Sequence, residues 1–382
     1  MCQKPVHLAV RFVLALAAGF VLVGLRGAAA QTGESAVALP LLPAGQHVTA
    51  FYTPPADPAA KAELDAAFGD VIRAGASGYV LPISWAELEP APGEIDTAGL
   101  ESGLEALASL GLRPYLSIPT INTVKLTLPA DLMTADEYEL ADGRHFDDPV
   151  IVERFARLLD AVVPLLVEHG GFFLSAGNEV EGWLEQRPEE VPGFVAFVAA
   201  AREYAHNLAP GLGVGATITH GGIARGVPFL GNLLAVSDAL AVTYYPLHDD
   251  FTVRDPSVAA ADLEEIIAAA GDLPVLFQEV GYPSGAAPDA QNGSSAELQR
   301  QFFSSFFAAM REQPQVRFAS VLQLSDWSAA ECDAFVRYYT GLDSFPALHE
   351  YLCSLGLRAA DGTPKPAYEV FLNAVRESAA GR

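Results

Sequence analysis

The stretch GGFFLSAGNEVEGWL, from Gly170 to Leu184, determines how the rest of the chain is interpreted. Its apolar run 172–174 stops at Ser-Ala-Gly, and Asn178 and Glu179 follow where a buried strand would emerge at its carboxyl end. A carboxylate in that place loses hydration and costs stability unless it has a function. We therefore predict that Glu179 is a catalytic acid. The alternative is a solvated loop residue paired with a nearby arginine.

A second stretch, one hundred residues further along, repeats this pattern. In LPVLFQEVGYPSG, the apolar run 275–277 is followed by Gln278 and Glu279. Two apolar runs that each end in a glutamate favour one shared catalytic centre over two unrelated loops.

The order of elements along the chain predicts the fold. The chain has 382 residues, of which 51% are hydrophobic, and this suits one large α/β domain. Strand-like runs alternate with amphipathic, helix-like segments, the clearest of which is 149–169. The others are 59–74, 97–110, 192–208, 259–270 and 295–313, and the segment after strand five, 223–237, is weaker because Gly226, Pro228 and Gly231 interrupt it. The eight predicted strands are 47–52, 78–84, 113–118, 172–176, 213–219, 239–244, 274–278 and 319–324.

Eight strands that are each followed by a helix predict a (β/α)₈ TIM barrel, of the α/β class, as a single domain. A doubly wound open sheet is the alternative. That fold would require a Gly-rich phosphate-binding turn after an early strand, and here FYTPPAD follows the first strand instead.

The amino-terminal segment has the pattern of a secretory signal. Residues 1–30 combine a basic start, an apolar run and a small-residue cleavage site at Ala28 to Ala30, which predicts a signal peptide, with an uncleaved anchor as the alternative. Residues 31–46 are predicted to be a flexible leader and 47–378 the catalytic domain. We expect the mature protein to be secreted or periplasmic, monomeric and without a membrane segment.

Charge and composition limit the molecules that this protein could bind. The formal charge is −25, and about −28 once the three basic residues of 1–30 are removed. Such a chain repels phosphate backbones and anionic membranes, which argues against nucleic-acid and membrane partners. The eight histidines form no H-x-H or H-E-x-x-H pattern, so neither a metal nor another cofactor is predicted. Whether Cys332 and Cys353 pair is left open.

The two glutamates suit the hydrolysis of a glycosidic bond. Barrel active sites lie at the carboxyl ends of the strands, so Glu179 after strand four and Glu279 after strand seven would face one mouth. One carboxyl must donate a proton to the leaving oxygen, and the other must attack the anomeric carbon. We assign the acid/base role to Glu179 and the nucleophile role to Glu279. Retention would require a separation of roughly 5–5.5 Å, and inversion one of roughly 6.5–9.5 Å.

Aromatic residues follow two further strands. Tyr244 or Tyr245, in LAVTYYPL, could donate a hydrogen bond to Glu279. Trp327, in VLQLSDW, could form a flat apolar platform for a sugar ring. For all three side chains, ordinary core packing is the alternative.

The segment 119–148 is too long for an ordinary connection between a strand and a helix. We predict that it is a wall or lid of the cleft, with a plain surface excursion as the alternative. Asn122 in this segment and Gln323 after strand eight are predicted to contact the substrate through their amides. Asp249 and Asp250 follow strand six, where a solvated turn is favoured over contact with sugar hydroxyls.

This set of motifs resembles clan A of the retaining glycoside hydrolases, barrels whose acid follows an Asn at the end of strand four and whose nucleophile closes strand seven. Within the clan, GNEVEGW, TYYP and EVGYPS are most similar to the family 53 endo-β-1,4-galactanases. WAELEPAPGEID, which begins at Trp85, resembles a segment after strand two in many clan members, and Trp85 is predicted to contact the substrate. By this resemblance, Asn178 would bind the 2-hydroxyl of the sugar.

The chain departs from family 53 in two places. Strand two, YVLPISW, has no arginine, and the His- and Asp-bearing segment after strand three is missing. The resemblance implies a retaining, endo-acting glycosidase that cleaves β-glycosidic bonds of a neutral polysaccharide or oligosaccharide without a cofactor. A non-catalytic carbohydrate-binding barrel derived from such an enzyme is the alternative. An esterase lacks support, because the chain contains no G-x-S-x-G elbow.

Overall fold

The computed structural model describes residues 44–55, 57–285 and 291–382. The predicted signal peptide and the predicted leader up to residue 43 lie outside these residues. The leader's last residue, Gln46, donates from its amide to the carbonyl oxygens of Met310 and Gln313, at 2.6 and 3.0 Å. Within the described part of the chain, the helices include none that is both long and apolar enough to cross a bilayer.

Eight parallel strands form a barrel in chain order, which confirms the predicted (β/α)₈ fold. One sheet has the order β2-β3-β4-β5 and the other the order β5-β6-β7-β8-β1. The strands are β1 His47–Ala50, β2 Gly78–Pro82, β3 Arg113–Ser117, β4 Phe173–Ser175, β5 in two parts, Gly213–Gly215 and Thr217–Thr219, β6 Leu240–Tyr244, β7 Val275–Val280 and β8 Val316–Val321.

Two junctions join these sheets into one ring. The first part of β5 pairs with β4 and its second part pairs with β6, so this strand belongs to both sheets. Between β1 and β2, the Tyr79 hydroxyl donates to the carbonyl oxygen of Tyr52 at 2.9 Å and accepts from its backbone nitrogen at 3.2 Å. The barrel therefore presents all eight carboxyl ends at one mouth.

Helices cover the outside of the barrel, and each predicted helical segment is helical in the structure. The predicted segment after β5 is two short helices, because Gly226 ends the first in a left-handed conformation with φ of 65°. The helices are α1 Pro58–Ala74, α2 Trp85–Leu88, α3 Ala98–Ser109, α4 Pro149–Glu168, α5 Glu181–Leu184, α6 Val191–Leu208, α7 His220–Arg225, α8 Leu230–Ala235, α9 Ala259–Ala270, α10 Ala296–Arg311, α11 Ala329–Thr340, α12 Pro346–Cys353 and α13 Pro366–Ala380.

The barrel interior changes from apolar to polar towards the mouth. A cluster separate from the main core contains buried side chains from several strands: Val80, Tyr115, Phe172, Phe173, Ala239, Ala241, Leu276 and Phe318. Next to it lies a buried hydrogen-bonded layer. The Thr217 hydroxyl donates to Gln278 at 2.7 Å and lies 2.9 Å from the Ser175 hydroxyl, while the Tyr115 hydroxyl donates to Gln278 at 3.1 Å. This layer is the floor of the candidate site.

Candidate active site

Glu279 reaches the mouth because β7 contains a β-bulge. In the pairing with β6, Phe277 lies opposite Val242 and Glu279 lies opposite Thr243, so Gln278 is an extra residue. A bulge of this kind changes the direction of the side chains that follow it. As a result, Gln278 joins the buried floor, and Glu279 accepts a hydrogen bond from the Tyr245 hydroxyl at 2.5 Å.

Glu179 lies just beyond β4 on strained backbone. Its φ of 49° is in the left-handed region, which is uncommon for a residue with a β-carbon and is concentrated at functional sites. Two hydroxyls hold its carboxyl group: Thr123 donates to one oxygen and Thr243 to the other, each at 2.7 Å. The side chain is therefore fixed in the mouth and remains partly exposed.

Thr243 brings the two predicted catalytic residues together. It is the register partner of Glu279 on the neighbouring strand, and its hydroxyl donates to Glu179. Burial, followed by the negative charge of Glu179, raises the pKa of Glu279 to about 7, while the Tyr245 hydrogen bond acts in the opposite direction. The two carboxyl groups thus interact electrostatically within one polar mouth.

Asn178 is oriented by hydrogen bonds on both sides of its amide. Its oxygen accepts from the Gln278 amide at 2.8 Å, and its nitrogen donates to the Asn122 oxygen at 3.0 Å. The Asn122 nitrogen in turn lies 3.4 Å from the Tyr338 hydroxyl. Asn178 and Asn122 are both partly exposed beside Glu179, where a substrate hydroxyl could reach them.

The prediction that Tyr244 contacts the substrate is wrong. Side chains alternate across a strand, so Thr243 and Tyr245 point to one face and Tyr244 to the other. Tyr244 is fully buried, and its hydroxyl donates to Asp262 of helix α9 at 2.9 Å. Of the two tyrosines considered for Glu279, Tyr245 is therefore the one that makes the hydrogen bond.

The prediction for Trp85 is also wrong. Its side chain is fully buried, and its ring packs edge-on against Phe155 of helix α4 at 5.0 Å. Its ring nitrogen donates to Glu89 at 2.8 Å, and Glu89 also accepts from Gly93 and from the buried Arg154. The WAELEPAPG segment is thus held together by a local hydrogen-bond network behind the barrel wall.

Trp327 and Gln323 lie at the end of β8 in different surroundings. Trp327 is partly buried, and its ring centre is 4.5 Å from that of Phe335 on helix α11. Gln323 is 1% exposed, and within the described residues its amide nitrogen has no hydrogen-bond partner. Their contact with a substrate stays a prediction.

The segment 119–148 is an ordered wall of the mouth. It contains a two-stranded hairpin, Ile121–Asn122 with Lys125–Leu126, and buried apolar anchors that include Leu128, Leu132 and Phe146. The hairpin turn carries Thr123, which bonds Glu179. Asp249 and Asp250 are exposed, and Asp250 accepts from Thr252, as expected for a solvated turn.

Several residues that surround the two glutamates were not predicted from the sequence. Thr243 could have been found from its position two residues before Tyr245 on the same strand face. Tyr339 and Tyr351, on helices α11 and α12, carried no such signal, yet burial and the charges of Glu179 and Glu279 raise the pKa of each hydroxyl well above its ordinary value. Cys332 and Cys353, whose pairing the sequence left open, form a disulfide that joins these two helices.

Among the described residues, one group of side chains has the geometry to hold a metal ion. Ligand atoms of His220, Asp262 and Glu265 lie within 4.8 Å of one another. Both oxygens of Asp262, however, accept hydrogen bonds from the guanidinium of Arg254, at 2.8 and 3.0 Å. Because this guanidinium already supplies the positive charge, we assign the group to packing between helices α7 and α9.

Comparison with known proteins supports the fold. No family model matches the chain, and no curated protein does. A GH5_18 variant from Streptomyces cattleya in complex with Manβ1-4GlcNAc is 20% identical, with a TM-score of 0.63 over 87% of this chain and 80% of that one. A GH5_18 structure from Bifidobacterium longum subsp. longum ATCC 55813 is 17% identical, with a TM-score of 0.65 over 87% and 79%.

A third similar structure is the exo-β-1,4-mannosidase Op5Man5 from Opitutaceae bacterium strain TAV5. It is 18% identical, with a TM-score of 0.64 over 88% of this chain and 60% of that one. Likeness at these identities concerns the backbone. The chain therefore has the (β/α)₈ barrel fold on which these glycoside hydrolases are built.

Proposed function

We propose that this protein is a retaining β-glycosidase in which Glu179 is the acid/base and Glu279 the nucleophile. The observation that carries the proposal is the link through Thr243, which bonds one carboxyl and lies in register with the other. The similar structures support it, because one is a GH5_18 variant with Manβ1-4GlcNAc bound and another is an exo-β-1,4-mannosidase. The finer likeness to family 53 galactanases stays a prediction.

In the first step, an oxygen of Glu279 attacks the anomeric carbon of the sugar as the bond from that carbon to the leaving oxygen breaks. Glu179 transfers its proton to the leaving oxygen, so the departing part of the substrate leaves as a neutral alcohol. The product of this step is a covalent glycosyl ester on Glu279.

In the second step, a water molecule attacks the anomeric carbon and Glu179 takes up the water's proton. The ester bond to Glu279 breaks, which frees the sugar and restores both carboxyl groups. Two inversions at the same carbon leave the product with the configuration of the substrate.

The hydrogen bonds are consistent with these roles. A tyrosine hydroxyl that donates to Glu279 favours the ionised form, which the nucleophile requires. Threonine hydroxyls can either donate or accept, so Glu179 can carry a proton without losing Thr123 or Thr243 as a partner. The charge of Glu179 is one cause of the raised pKa of Glu279, and the first step as proposed requires the proton to be on Glu179 when substrate is bound.

The substrate that we propose is a neutral β-linked carbohydrate. Asn178 and Asn122 offer amide groups to sugar hydroxyls, and the strongly acidic chain disfavours anionic substrates. We also propose that the protein acts outside the cytoplasm. The disulfide between Cys332 and Cys353 supports this, since such bonds persist in oxidising compartments.

The test uses 4-nitrophenyl β-D-mannoside, β-D-glucoside and β-D-galactoside with sodium azide as an external nucleophile. With the Glu279→Ala variant, azide is expected to attack from the opposite face and to give the α-glycosyl azide. With the Glu179→Ala variant, azide is expected to release the trapped ester as the β-glycosyl azide. Product configuration is read by proton NMR.

A matched control is Glu185→Gln. Glu185 follows Glu179 by six residues, and its exposed carboxyl pairs with Arg225. This variant is expected to hydrolyse the same glycoside without azide, at a rate close to that of the unaltered protein. Full activity of Glu279→Ala without azide would refute the assignment. Binding of glycosides by the unaltered protein with no hydrolysis would instead favour the carbohydrate-binding barrel.

A further inference from the structure

A two-helix unit follows strand β8 and lies over the mouth. We call residues 328–355, which contain helices α11 and α12, the cap. Its interior is an apolar cluster separate from the main core, and the disulfide joins its two helices. The buried members of this cluster are Cys332, Val336, Leu348, Tyr351, Leu352 and Leu355. The cap is therefore a compact body with its own packing.

The cap covers the side of the mouth that contains Glu279. The Tyr351 ring meets the Tyr245 ring edge-on at 5.7 Å, and Tyr245 is the residue that donates to Glu279. Phe251, from the loop after β6, packs against both Tyr351 and Phe345 of the cap, at 5.9 and 5.6 Å. These contacts cover the nucleophile side with aromatic side chains.

The cap also contacts the hairpin after β3, on another part of the rim. The Tyr338 hydroxyl accepts from the Asn122 amide at 3.4 Å, and the Lys125 ammonium lies 4.8 Å from the centre of the Tyr338 ring. That ammonium also pairs with Glu137 at 3.3 Å. We call the contact between Tyr338 and the hairpin residues Asn122 and Lys125 the seam.

The seam crosses the mouth from the hairpin after β3 to helix α11, which follows β8. Strands β3 and β8 are not neighbours, because β1 and β2 lie between them in the ring. A contact between a hairpin after β3 and a helix after β8 must therefore pass above those two strands. With the contacts to the loop after β6, the cap closes a large part of the rim, while Asn178, Glu179 and Glu279 remain partly exposed.

We propose that the cap and the seam make the site a blind pocket that accepts one terminal sugar, so that the protein removes single sugars from non-reducing ends. This inference rests on the function proposed above. In double displacement, the sugar that becomes attached to the nucleophile is the one on the non-reducing side of the cleaved bond. Because the cap and the seam span the rim from β8 over β1 and β2 to the hairpin after β3, a chain that continued beyond this sugar would run into them.

Tyr338 is the residue on which this specificity depends. It makes both contacts of the seam, to the Asn122 amide and to the Lys125 ammonium. Removing its side chain would open the wall between the hairpin and the cap while leaving Glu179, Glu279 and the disulfide in place. The inference replaces the expectation of endo action with one of exo action.

The experiment compares each of three tetrasaccharides in two forms. Mannotetraose, cellotetraose and β-1,4-galactotetraose are used free and with the non-reducing terminal sugar blocked as its 4,6-O-benzylidene acetal. For the tetrasaccharide that it cleaves, the unaltered protein is expected to release monosaccharide from the free form and to act at least 100-fold more slowly on the blocked form. Tyr338→Ala is expected to raise the ratio of blocked to free rates at least tenfold, with disaccharide as a new product.

Two further variants and a test of folding complete the comparison. The control variant is Tyr204→Ala. Tyr204 lies on the outer helix α6, far from the seam in the fold, and its hydroxyl donates to Asp160. This variant is expected to keep the ratio of blocked to free rates of the unaltered protein. Lys125→Met, which removes the cation from the seam, is expected to change the ratio in the same direction as Tyr338→Ala. Thermal melts followed by circular dichroism establish that each variant is folded.

Two results would overturn the inference: equal rates of the unaltered protein on the free and blocked forms, or an unchanged ratio in both seam variants. If no tetrasaccharide is hydrolysed, the proposed function fails, and the pocket is tested through binding to the Glu279→Gln variant by calorimetry. Binding of the free form alone supports a blind pocket. Equal binding of both forms, or binding of neither, overturns it.

Discussion

Replacing Glu279 with glutamine is expected to abolish hydrolysis and, at neutral pH, to make the folded protein more stable. Folding raises the pKa of this carboxyl from its ordinary 4.5 to about 7, first by burial and then through the charge of Glu179. Each pKa unit corresponds to about 1.4 kcal/mol, so the ionised form costs about 3 kcal/mol of stability above pH 7. Glutamine has a similar shape, cannot ionise and can still accept from Tyr245.

The sign of the pH dependence follows from proton binding. Between pH 4.5 and about 7, the folded protein holds more protons on Glu279 than the unfolded chain does. The free energy of unfolding that this group contributes is therefore fully present below pH 4.5 and is lost as the pH rises through about 7. The advantage of Glu279→Gln is expected to be greatest at pH 7.5 and to vanish near pH 4.5.

Urea unfolding at pH 4.5, 6.0 and 7.5 measures this difference, with Glu185→Gln as the control because its carboxyl is on the surface and paired with Arg225. For a domain of this size, about 3 kcal/mol corresponds to several degrees in the melting temperature. A stability difference that does not change with pH, or a Glu279→Gln protein that is less stable at pH 7.5, would refute the electrostatic reasoning.

Three further predictions follow from single contacts. Tyr245→Phe removes the hydroxyl that lowers the pKa of Glu279, so kcat/KM is expected to fall about 10- to 100-fold. In a pH–rate profile, the pH at which activity rises is expected to move upward. Trp85→Phe removes a buried hydrogen bond behind the barrel wall, and is expected to lower the unfolding free energy by about 1 to 2 kcal/mol with an unchanged KM; a raised KM would contradict this placement. Changing Cys332 and Cys353 together to serine is expected to destabilise the cap by about 3 kcal/mol, seen as faster limited proteolysis within 328–355; equal cleavage rates would count against it.

Much of the barrel could be predicted because its signals are local. Helix α4 combines a buried apolar face with an exposed Glu153, and α6, α9 and α10 begin and end within a few residues of the predicted limits. The weakest prediction, after β5, was interrupted where Gly226 ends a helix. The hydrophobic run of each strand is likewise visible in the sequence, because strands of a barrel are buried on both faces.

Assigning side chains to the site was less successful, for physical reasons. Alternation along β6 separates Tyr245 from Tyr244, but alternation alone does not show which of the two faces the mouth. The bulge at Gln278 breaks this alternation in β7, and nothing in the sequence LPVLFQEV predicts it. Trp85 lies in a motif whose residues form hydrogen bonds with one another, so this motif builds a local structure and Trp85 does not reach the mouth.

The sequence by itself determined the eight strands, the helices between them and the placement of Glu179 and Glu279 at strand ends, since hydrophobic periodicity and strand order depend on near neighbours. Tertiary structure alone decided that Thr243 links the two glutamates and that the cap meets the hairpin after β3. The seam joins residues more than two hundred positions apart. Contacts of this kind depend on how loops of different strands meet above the barrel, and no local pattern encodes that geometry.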